Sequence, residues 1–190
     1  MADARKGEAA PPTGEESAVL QRSQPRRALA GSAGSPGSPG GPPASGISDA
    51  ADRLWEKWAQ AILSVELAPG QWVQLTGPDA SRGLPTPGPL HVLTAWDPGG
   101  SPTEPSSNEA AHRRLVAELR RSGARWWPSE GRDRSGPYRD RGVAISGMER
   151  GRALRLADRF GQVAIYELSD ESTTILACRS DRALRVDRLA

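Results

Sequence analysis

Five polar side chains stand at the predicted ends of strands and helices, where binding and catalytic groups are commonly presented. They are Asp97, Asn108, Asp140, Gln162 and Glu167. A strand end that precedes a helix places its polar groups beside the backbone N–H groups of the helix N-terminus, which favour anions. The same residue types are ordinary in turns and helix caps, as in Asp97 before a proline or Asn108 as an N-cap. The five residues therefore mark a candidate site without specifying a reaction.

Familiar catalytic and metal-binding patterns are missing from the sequence. His91 and His112 are too far apart for a known ligand spacing, and His112 lies beside the apolar stripe of its predicted helix, as a semi-buried histidine would. The single cysteine, Cys178, excludes an internal disulfide and a cysteine-rich metal site, and its apolar surroundings indicate a small buried hydrophobe. Phosphate-binding, dinucleotide-binding, nucleophile-elbow and zinc-protease motifs are absent. We expect no metal and no cofactor, and the catalytic residues of any enzyme stay unknown.

Composition divides the 190 residues into a tail and one domain. Residues 1–46 are rich in Gly, Pro, Ser and Ala and predict a disordered tail, whereas residues 47–190 form a single domain. The formal net charge of +2 predicts no large surface for a polyanion. Without an apolar stretch long enough to span a membrane, and without a recognisable signal peptide, the sequence predicts a cytoplasmic protein.

The elements that position the candidate residues follow from hydrophobic periodicity. An amphipathic helix is expected from about Ser48, followed by a hairpin with strands near residues 63–67 and 71–76 and by a Pro- and Gly-rich loop. The next strand runs over residues 90–96. Ser106 and Glu109 form a capping box, and Asn108 is a competing N-cap, so a helix begins here and ends at Gly123.

The remaining elements complete an α+β pattern. Strands are predicted over residues 125–128 and 139–147, a helix up to the cap at Gly161, and a final hairpin over 163–168 and 173–178. From Leu90 onward the order is strand, helix, strand, strand, helix, strand, which is the split β-α-β plan of ferredoxin-like sandwiches. The predicted fold is therefore a ferredoxin-like α+β sandwich with an N-terminal helix and an extra β-hairpin, preceded by the disordered tail.

Two short motifs carry a family resemblance. The run Thr94-Ala95-Trp96-Asp97-Pro98, with Asn108 ahead of a helix that contains Leu115 and Leu119, resembles the T-A-[WY]-N-P…N…L…L pattern of bacterial domain-of-unknown-function family 3293. Tyr138 and Asp140, among glycines at 131, 136, 142 and 147, are similar to that family's G…DG-x-W-x-E…G…G segment, and the run Phe160-Gly161-Gln162 is similar to its F-G-Q ending. The resemblance covers about residues 90–168 and implies a shared fold but no reaction.

The motif residues together form the candidate ligand-binding set. These are Trp96, Asp97, Asn108, Tyr138, Asp140 and Gln162. The chain departs from the family pattern at three of them: the usual Asn is Asp97, the usual Trp is Tyr138, and the acidic position is Asp140. While it is ionised, Asp97 cannot donate the hydrogen bond that an Asn amide would.

The tryptophan pair predicts a second functional surface. Trp126 and Trp127 are consecutive in a strand, so their rings point to opposite faces of the sheet, and one is expected on the face that the helices leave uncovered. Such an exposed aromatic face suits a protein partner or a second copy of the chain. It also suits base stacking in an RNA-binding module, although the near-neutral charge disfavours nucleic acid.

Three functions follow from these observations. The first choice is a non-enzymatic interaction or small-ligand-binding domain, because catalytic motifs are missing and aromatic residues are plentiful. The alternative is an enzyme that acts on a small molecule at a cluster formed by Asp97, Asn108 and Gln162. The third is an RNA-binding module.

Overall fold

The computed structural model describes residues 46–134 and 136–189. The predicted tail over residues 1–46 lies, apart from its last residue, outside this part of the chain. The described part of the chain is an α+β fold with three α-helices and eight strands, which confirms the predicted class. The helices are α1 (Gly46–Ala59), α2 (Pro105–Ser122) and α3 (Arg150–Arg159). The strands are β1 (Ile62–Ala68), β2 (Gln71–Gln74), β3 (Leu90–Thr94), β4 (Arg125–Arg132), β5 (Arg139–Ser146), β6 (Ala164–Leu168), β7 (Ser172–Ala177) and β8 (Ala183–Asp187).

The eight strands form one antiparallel sheet in the order β2-β1-β4-β5-β3-β6-β7-β8. Helix α2 connects β3 to β4, which lie on either side of β5. Helix α3 connects β5 to β6, which lie on either side of β3. Strands β3 and β5 are therefore central, and their residues are buried on both faces, Leu90–Leu93 in one and Gly142–Ile145 in the other.

Two hydrophobic cores lie on opposite faces of the sheet. On the helix face, α2 contributes Leu115 and Leu119, α3 contributes Leu156, and both pack against strand residues such as Leu93 and Ile165. The opposite face carries a second core, made of Leu63, Val65, Leu75, Leu90, Val92, Ala144 and Leu168. Successive residues of a strand point to opposite faces. Leu93 therefore belongs to the helix-side core and Val92 to the opposite core, and Ala144 likewise faces away from Val143 and Ile145.

The tryptophan pair follows this alternation. Trp126 packs against the core on the helix face, whereas Trp127 packs against the opposite core, and both rings are half-buried. The guanidinium of Arg125 lies over the Trp127 ring, 4.8 Å from its centroid. The opposed orientation of the two rings agrees with the prediction, and the partner surface proposed for one of them stays a prediction.

Several element boundaries differ from the prediction. Apolar spacing in the sequence extends the predicted first helix to Ile62, but α1 ends at Ala59 and Ile62 begins β1. Helix α2 begins at Pro105, with Glu104 as its N-cap residue and no side-chain cap, so the capping box and the Asn108 cap are wrong. Proline presets the backbone angle of the first helical turn, which explains the earlier start. Strand β8 was not predicted.

Candidate functional site

The two family-like motifs lie directly against each other. The backbone N–H of Gly99 donates to the carbonyl oxygen of Gly161 at 2.8 Å. The side-chain amide of Gln162, which is buried, donates to the carbonyl oxygen of Trp96, also at 2.8 Å. Gly161 has φ +74°, and a β-carbon there would lie 2.8 Å from Cβ of Pro98. The glycine therefore permits both the left-handed backbone and the close approach of the two segments.

Asp97 adopts an unusual backbone that the buried Asn108 fixes from two sides. With φ 48° and ψ 61°, Asp97 has the one left-handed conformation among the described non-glycine residues. The backbone N–H of Asp97 donates to Asn108 Oδ1 at 2.9 Å, and Asn108 Nδ2 donates to Asp97 Oδ1 at 2.8 Å. Asn108 therefore uses both ends of its amide to hold the loop that follows β3, rather than to cap its own helix.

Further donors surround the Asp97 carboxylate. The Thr103 backbone N–H donates to Oδ1 and the Tyr138 hydroxyl donates to Oδ2, each at 2.9 Å. Burial alone would raise the pKa of Asp97, but the hydrogen bonds from Asn108, Tyr138 and Thr103 outweigh it and lower this pKa below its usual value. Every side-chain contact of Asp97 thus comes from a donor, so a carboxylate satisfies this position without the amide that the family pattern has.

Asp140 lies near Asp97 but in a different environment. Its Oδ1 accepts one hydrogen bond, from the Gly131 backbone N–H at 3.1 Å. Burial, with the negative charge of Asp97 and Glu130 nearby, raises the pKa of Asp140 to about 6. A β-carbon at Gly131 would lie 2.4 Å from Oδ1, so the glycine makes room for this carboxylate. Asp140 is therefore the group in this region that changes its charge near neutral pH.

These residues surround one cavity of about 300 Å³ on the sheet face opposite α2 and α3. Five of the six candidate residues line it: Trp96, Asp97, Tyr138, Asp140 and Gln162. Asn108 does not line it but holds Asp97 from behind. The floor is apolar, with Leu63, Val92 and Ile175 among its lining residues, and the carboxylates lie at the end where β3, β4 and β5 approach the motif loops.

Helix α1 supplies the remaining wall of the cavity. Leu54, Lys57 and Trp58 line it from this side. The ammonium group of Lys57 lies 3.0 Å from Asp133 Oδ2 and 5.8 Å from the centroid of the Tyr138 ring. The Tyr166 hydroxyl donates to the Trp58 carbonyl oxygen at 3.2 Å and so connects the helix to the sheet.

Sequence reasoning missed the α1 residues, Tyr166 and Ser129 as parts of the site. Ser129 lies on β4, is 3% exposed and lines the cavity, yet its hydroxyl has no hydrogen-bond partner among the described residues. The Trp96 indole nitrogen is likewise buried without a partner in that part of the chain. The residues next to Ser129 in the sequence do not indicate that it lines a cavity, because the cavity is formed by side chains from other strands and from α1.

Glu167 and the histidines lie away from the cavity. Glu167 accepts two hydrogen bonds from Arg150, at 2.8 and 2.6 Å, and one contact of 3.0 Å joins it to the buried His91. His112 is buried in α2, where burial and the charge of Arg141 lower its pKa. Cys178 is half-buried against the helix-side core, and burial raises its pKa to about 11. None of these groups is placed to act on a molecule in the cavity.

No group of three or more His, Cys, Asp or Glu side chains in residues 46–134 and 136–189 is arranged to hold a metal ion. Within the same ranges, no helix has the length and apolarity needed to cross a membrane.

Comparison with known proteins identifies one related family. Residues 93–165 match the model of a family described as "Protein of unknown function (DUF3293)". Searches of curated proteins gave no match. Solved structures gave no match either. The family match extends from β3 to β6 and includes all six residues of the candidate ligand-binding set. It confirms the resemblance that the motifs predict: over residues 93–165 this chain is similar to the DUF3293 family.

Proposed function

We propose that this chain binds a small molecule in the cavity between α1 and the sheet. The observation that carries the proposal is the convergence on one cavity of five residues from three separate segments of the chain: Trp96, Asp97, Tyr138, Asp140 and Gln162. A volume of about 300 Å³, an apolar floor and a few polar groups at one end are typical of a small-ligand site. The acidic groups at that end disfavour the phosphates of RNA.

The hydrogen bonds of Asp97, Asn108 and Gln162 support a binding site rather than a catalytic cluster of these three residues. The side-chain amides of Asn108 and Gln162 hydrogen-bond to the loop that carries Trp96 and Asp97, so these two residues position the loop. Asp97 accepts three hydrogen bonds, which makes it a poor proton carrier. If the protein is an enzyme, its proton-transferring group is instead Asp140, since its pKa of about 6 suits general acid–base chemistry near neutral pH.

The binding proposal is tested by filling the cavity. Ala164 lines it from β6, so Ala164→Phe would occupy the space that a ligand needs. Ala183→Phe adds the same ring at an exposed position of β8 and serves as the matched control. A thermal-shift screen of the full chain against a metabolite library should give hits that Ala164→Phe abolishes and Ala183→Phe keeps. Native mass spectrometry of the same proteins should report any ligand that is retained on purification.

Two results would contradict the proposal. One is a screen without any hit combined with a native mass equal to that of the chain alone. The other is a set of hits that bind Ala164→Phe as well as the original protein, because such ligands would occupy another surface.

We also propose that the centre of the fold is a ferredoxin-like split β-α-β sandwich. The strand order β4-β5-β3-β6, with α2 and α3 on one face and each connecting two non-adjacent strands, supports this assignment. In that description β1 and β2 extend the sheet at one edge and β7 and β8 at the other.

A further inference from the structure

We propose that the ligand of this cavity is an organic amine, whose protonated nitrogen lies between Asp140 and the aromatic rings at the polar end. The inference rests on the proposed function and names the class of molecule that the site accepts. Three features of the cavity point to it: an incompletely bonded carboxylate, a buried hydroxyl without a partner, and an ammonium group that the chain itself already places there.

The first feature is the asymmetry of Asp140. Its Oδ1 accepts a hydrogen bond from the Gly131 N–H, and among the described residues the one other donor to this carboxylate is the backbone N–H of Asp140 itself. Asp97, close enough to affect the charge state of Asp140, has all its contacts with neutral donors, so its negative charge is not neutralised by a cation. The polar end of the cavity therefore carries an acceptor and a negative charge that a positively charged donor would satisfy.

The second feature is the Ser129 hydroxyl. It is buried in the wall of the same cavity, and Gly142, opposite it on β5, has no side chain that could reach it. Buried polar groups are nearly always hydrogen-bonded, so an unpaired hydroxyl in a cavity wall indicates a partner that is not part of the chain. A hydroxyl can accept a hydrogen bond from an ammonium group as readily as it can from an alcohol.

The third feature is Lys57. Its ammonium group contacts the Asp133 carboxylate and lies 5.8 Å from the Tyr138 ring centroid, at the α1 side of the cavity. This is the combination of carboxylate and aromatic face that stabilises a cation. Tyr138 in turn donates to Asp97, which keeps the ring in place. The site thus already accommodates one amine on its α1 side, and a second carboxylate and a second aromatic residue, Asp140 and Trp96, line the same cavity.

Anionic ligands suit this cavity poorly. Asp97, Asp133 and Asp140 line it together with Lys57 and Arg132, and Lys57 is paired with Asp133. Arg132 follows Gly131 on β4, so strand alternation directs its side chain away from the face that Ser129 and Gly131 share. A carboxylate or phosphate would therefore meet unpaired negative charge rather than a free cation.

Three probes of matched size test the inference on the full chain by isothermal titration calorimetry. Phenethylamine, phenethyl alcohol and hydrocinnamate share a phenyl ring and a two-carbon spacer but carry a cation, a neutral hydroxyl and an anion. We expect the amine to bind about tenfold or more tightly than the alcohol, because hydrogen bonds to charged groups are the stronger ones. Hydrocinnamate should bind most weakly.

Variants locate the preference at the proposed atoms. Asp140→Asn keeps the size of the side chain and an oxygen for the Gly131 N–H, and it should remove most of the preference for the amine while leaving alcohol binding unchanged. Asp181→Asn, an exposed position outside the cavity, is the control and should change neither. Ser129→Ala should weaken the amine and the alcohol by a similar factor. Thermal unfolding of each variant checks that it is folded.

The inference is overturned if phenethylamine does not bind, if the alcohol or hydrocinnamate binds as tightly, or if the preference for the amine survives in Asp140→Asn. None of these results bears on the cavity itself, because the library screen with Ala164→Phe judges the proposed function separately. A neutral or anionic hit that Ala164→Phe abolishes would keep the cavity as a binding site and exclude the amine.

Discussion

Two aspartates in one cavity show how environment decides the behaviour of a residue. Hydrogen bonds from Asn108, Tyr138 and Thr103 overcome the effect of burial on Asp97 and lower its pKa. Asp140 receives too few hydrogen bonds to offset burial, so its pKa rises to about 6. Asp97 is consequently a fixed charge at physiological pH, whereas Asp140 is sensitive to pH.

The raised pKa of Asp140 makes folding stability depend on pH. The folded state binds a proton more tightly than the unfolded state does, so the contribution of Asp140 is fully present below its ordinary pKa of 3.8 and is lost as pH rises through about 6. Asp140→Asn removes this dependence. The difference in free energy of unfolding between the original protein and the variant should therefore fall by on the order of 2 kcal/mol between pH 4 and pH 7.

Urea unfolding at intervals across this pH range measures that difference. Asp97 and Tyr138, which interact with Asp140, are the same in both proteins, so their own titration largely cancels. Asp181→Asn should follow the original protein throughout. A difference between the original protein and Asp140→Asn that stays constant with pH would contradict the raised pKa.

At the scale of elements, two of the motifs that reach the cavity lie in connections rather than in a helix or strand. The loop after β3 carries Trp96 and Asp97, and the loop after α3 carries Gly161 and Gln162. Two hydrogen bonds and the close approach of Gly161 to Pro98 join these loops. Because they are joined, the ends of β3 and β6 present their polar groups to the cavity in a fixed arrangement.

A methyl group at Gly161 should separate these loops. Gly161→Ala combines a left-handed backbone with a 2.8 Å contact to Pro98. Gly147→Ala is a matched control, because Gly147 has φ +70° but nothing within 4 Å of the added β-carbon. Alanine is destabilised by the left-handed backbone in both variants, whereas the close contact arises in Gly161→Ala alone. In urea unfolding, Gly161→Ala should therefore be less stable than Gly147→Ala by ~1–3 kcal/mol. Equal destabilisation of the two variants would argue against the tight contact.

The elements were predictable where the local pattern agrees with the tertiary structure. The apolar stripe of α2 and the left-handed Gly123 that ends it are both read directly from the sequence. The start of α2 was not predicted correctly, because Asn108, which resembles an N-cap in the sequence, hydrogen-bonds to Asp97 instead. Strand β8 alternates partly buried Leu184 and Val186 with exposed residues and pairs with β7, but these two side chains are too short an apolar pattern to predict a strand.

At the scale of the whole molecule, one buried arginine joins the two edges of the sheet. Arg188 follows β8 and is 1% exposed. Its guanidinium donates to the carbonyl oxygens of Leu75, Ser81, Arg82 and Asp170 at 2.7 to 3.2 Å. Leu75 directly follows β2, the strand at the opposite edge of the sheet. The curled sheet thus brings its edges close enough for a single side chain to bind both.

Removing this guanidinium should destabilise the whole domain. Arg188→Met keeps much of the length of the side chain but removes the donor from one buried and three partly buried carbonyl groups, and we expect it to cost ~3 kcal/mol or more. Arg185→Met, at an exposed position of β8, should cost little. Urea unfolding of the two variants compares them. If Arg188→Met is as stable as Arg185→Met, the two edges are held together by other contacts.

The motif residues of the candidate site were predictable, and the residues that reach the cavity by packing were not. Asp97, Tyr138, Asp140 and Gln162 belong to motifs, whereas Trp58, Ser129 and Tyr166 reach the cavity through packing across the sheet. Trp58 has the helical spacing of a core residue, and nothing in that spacing indicates that it faces a cavity. The motifs therefore predicted the polar groups of the cavity that belong to them. The side chains that limit its size became apparent from the tertiary structure alone.

The origin of the α1 wall has an evolutionary consequence. Leu54, Lys57 and Trp58 precede residues 93–165, the segment shared with the family, while Asp97, Ser129 and Asp140 lie within it. On the proposed function, the carboxylates that would bind the amine lie in the shared segment, whereas this wall of the cavity lies outside it. We therefore expect a relative that keeps the shared segment but carries a different helix before it to keep the preference for amines and to accept ligands of another size, so that the range of ligands can change while the carboxylates stay the same.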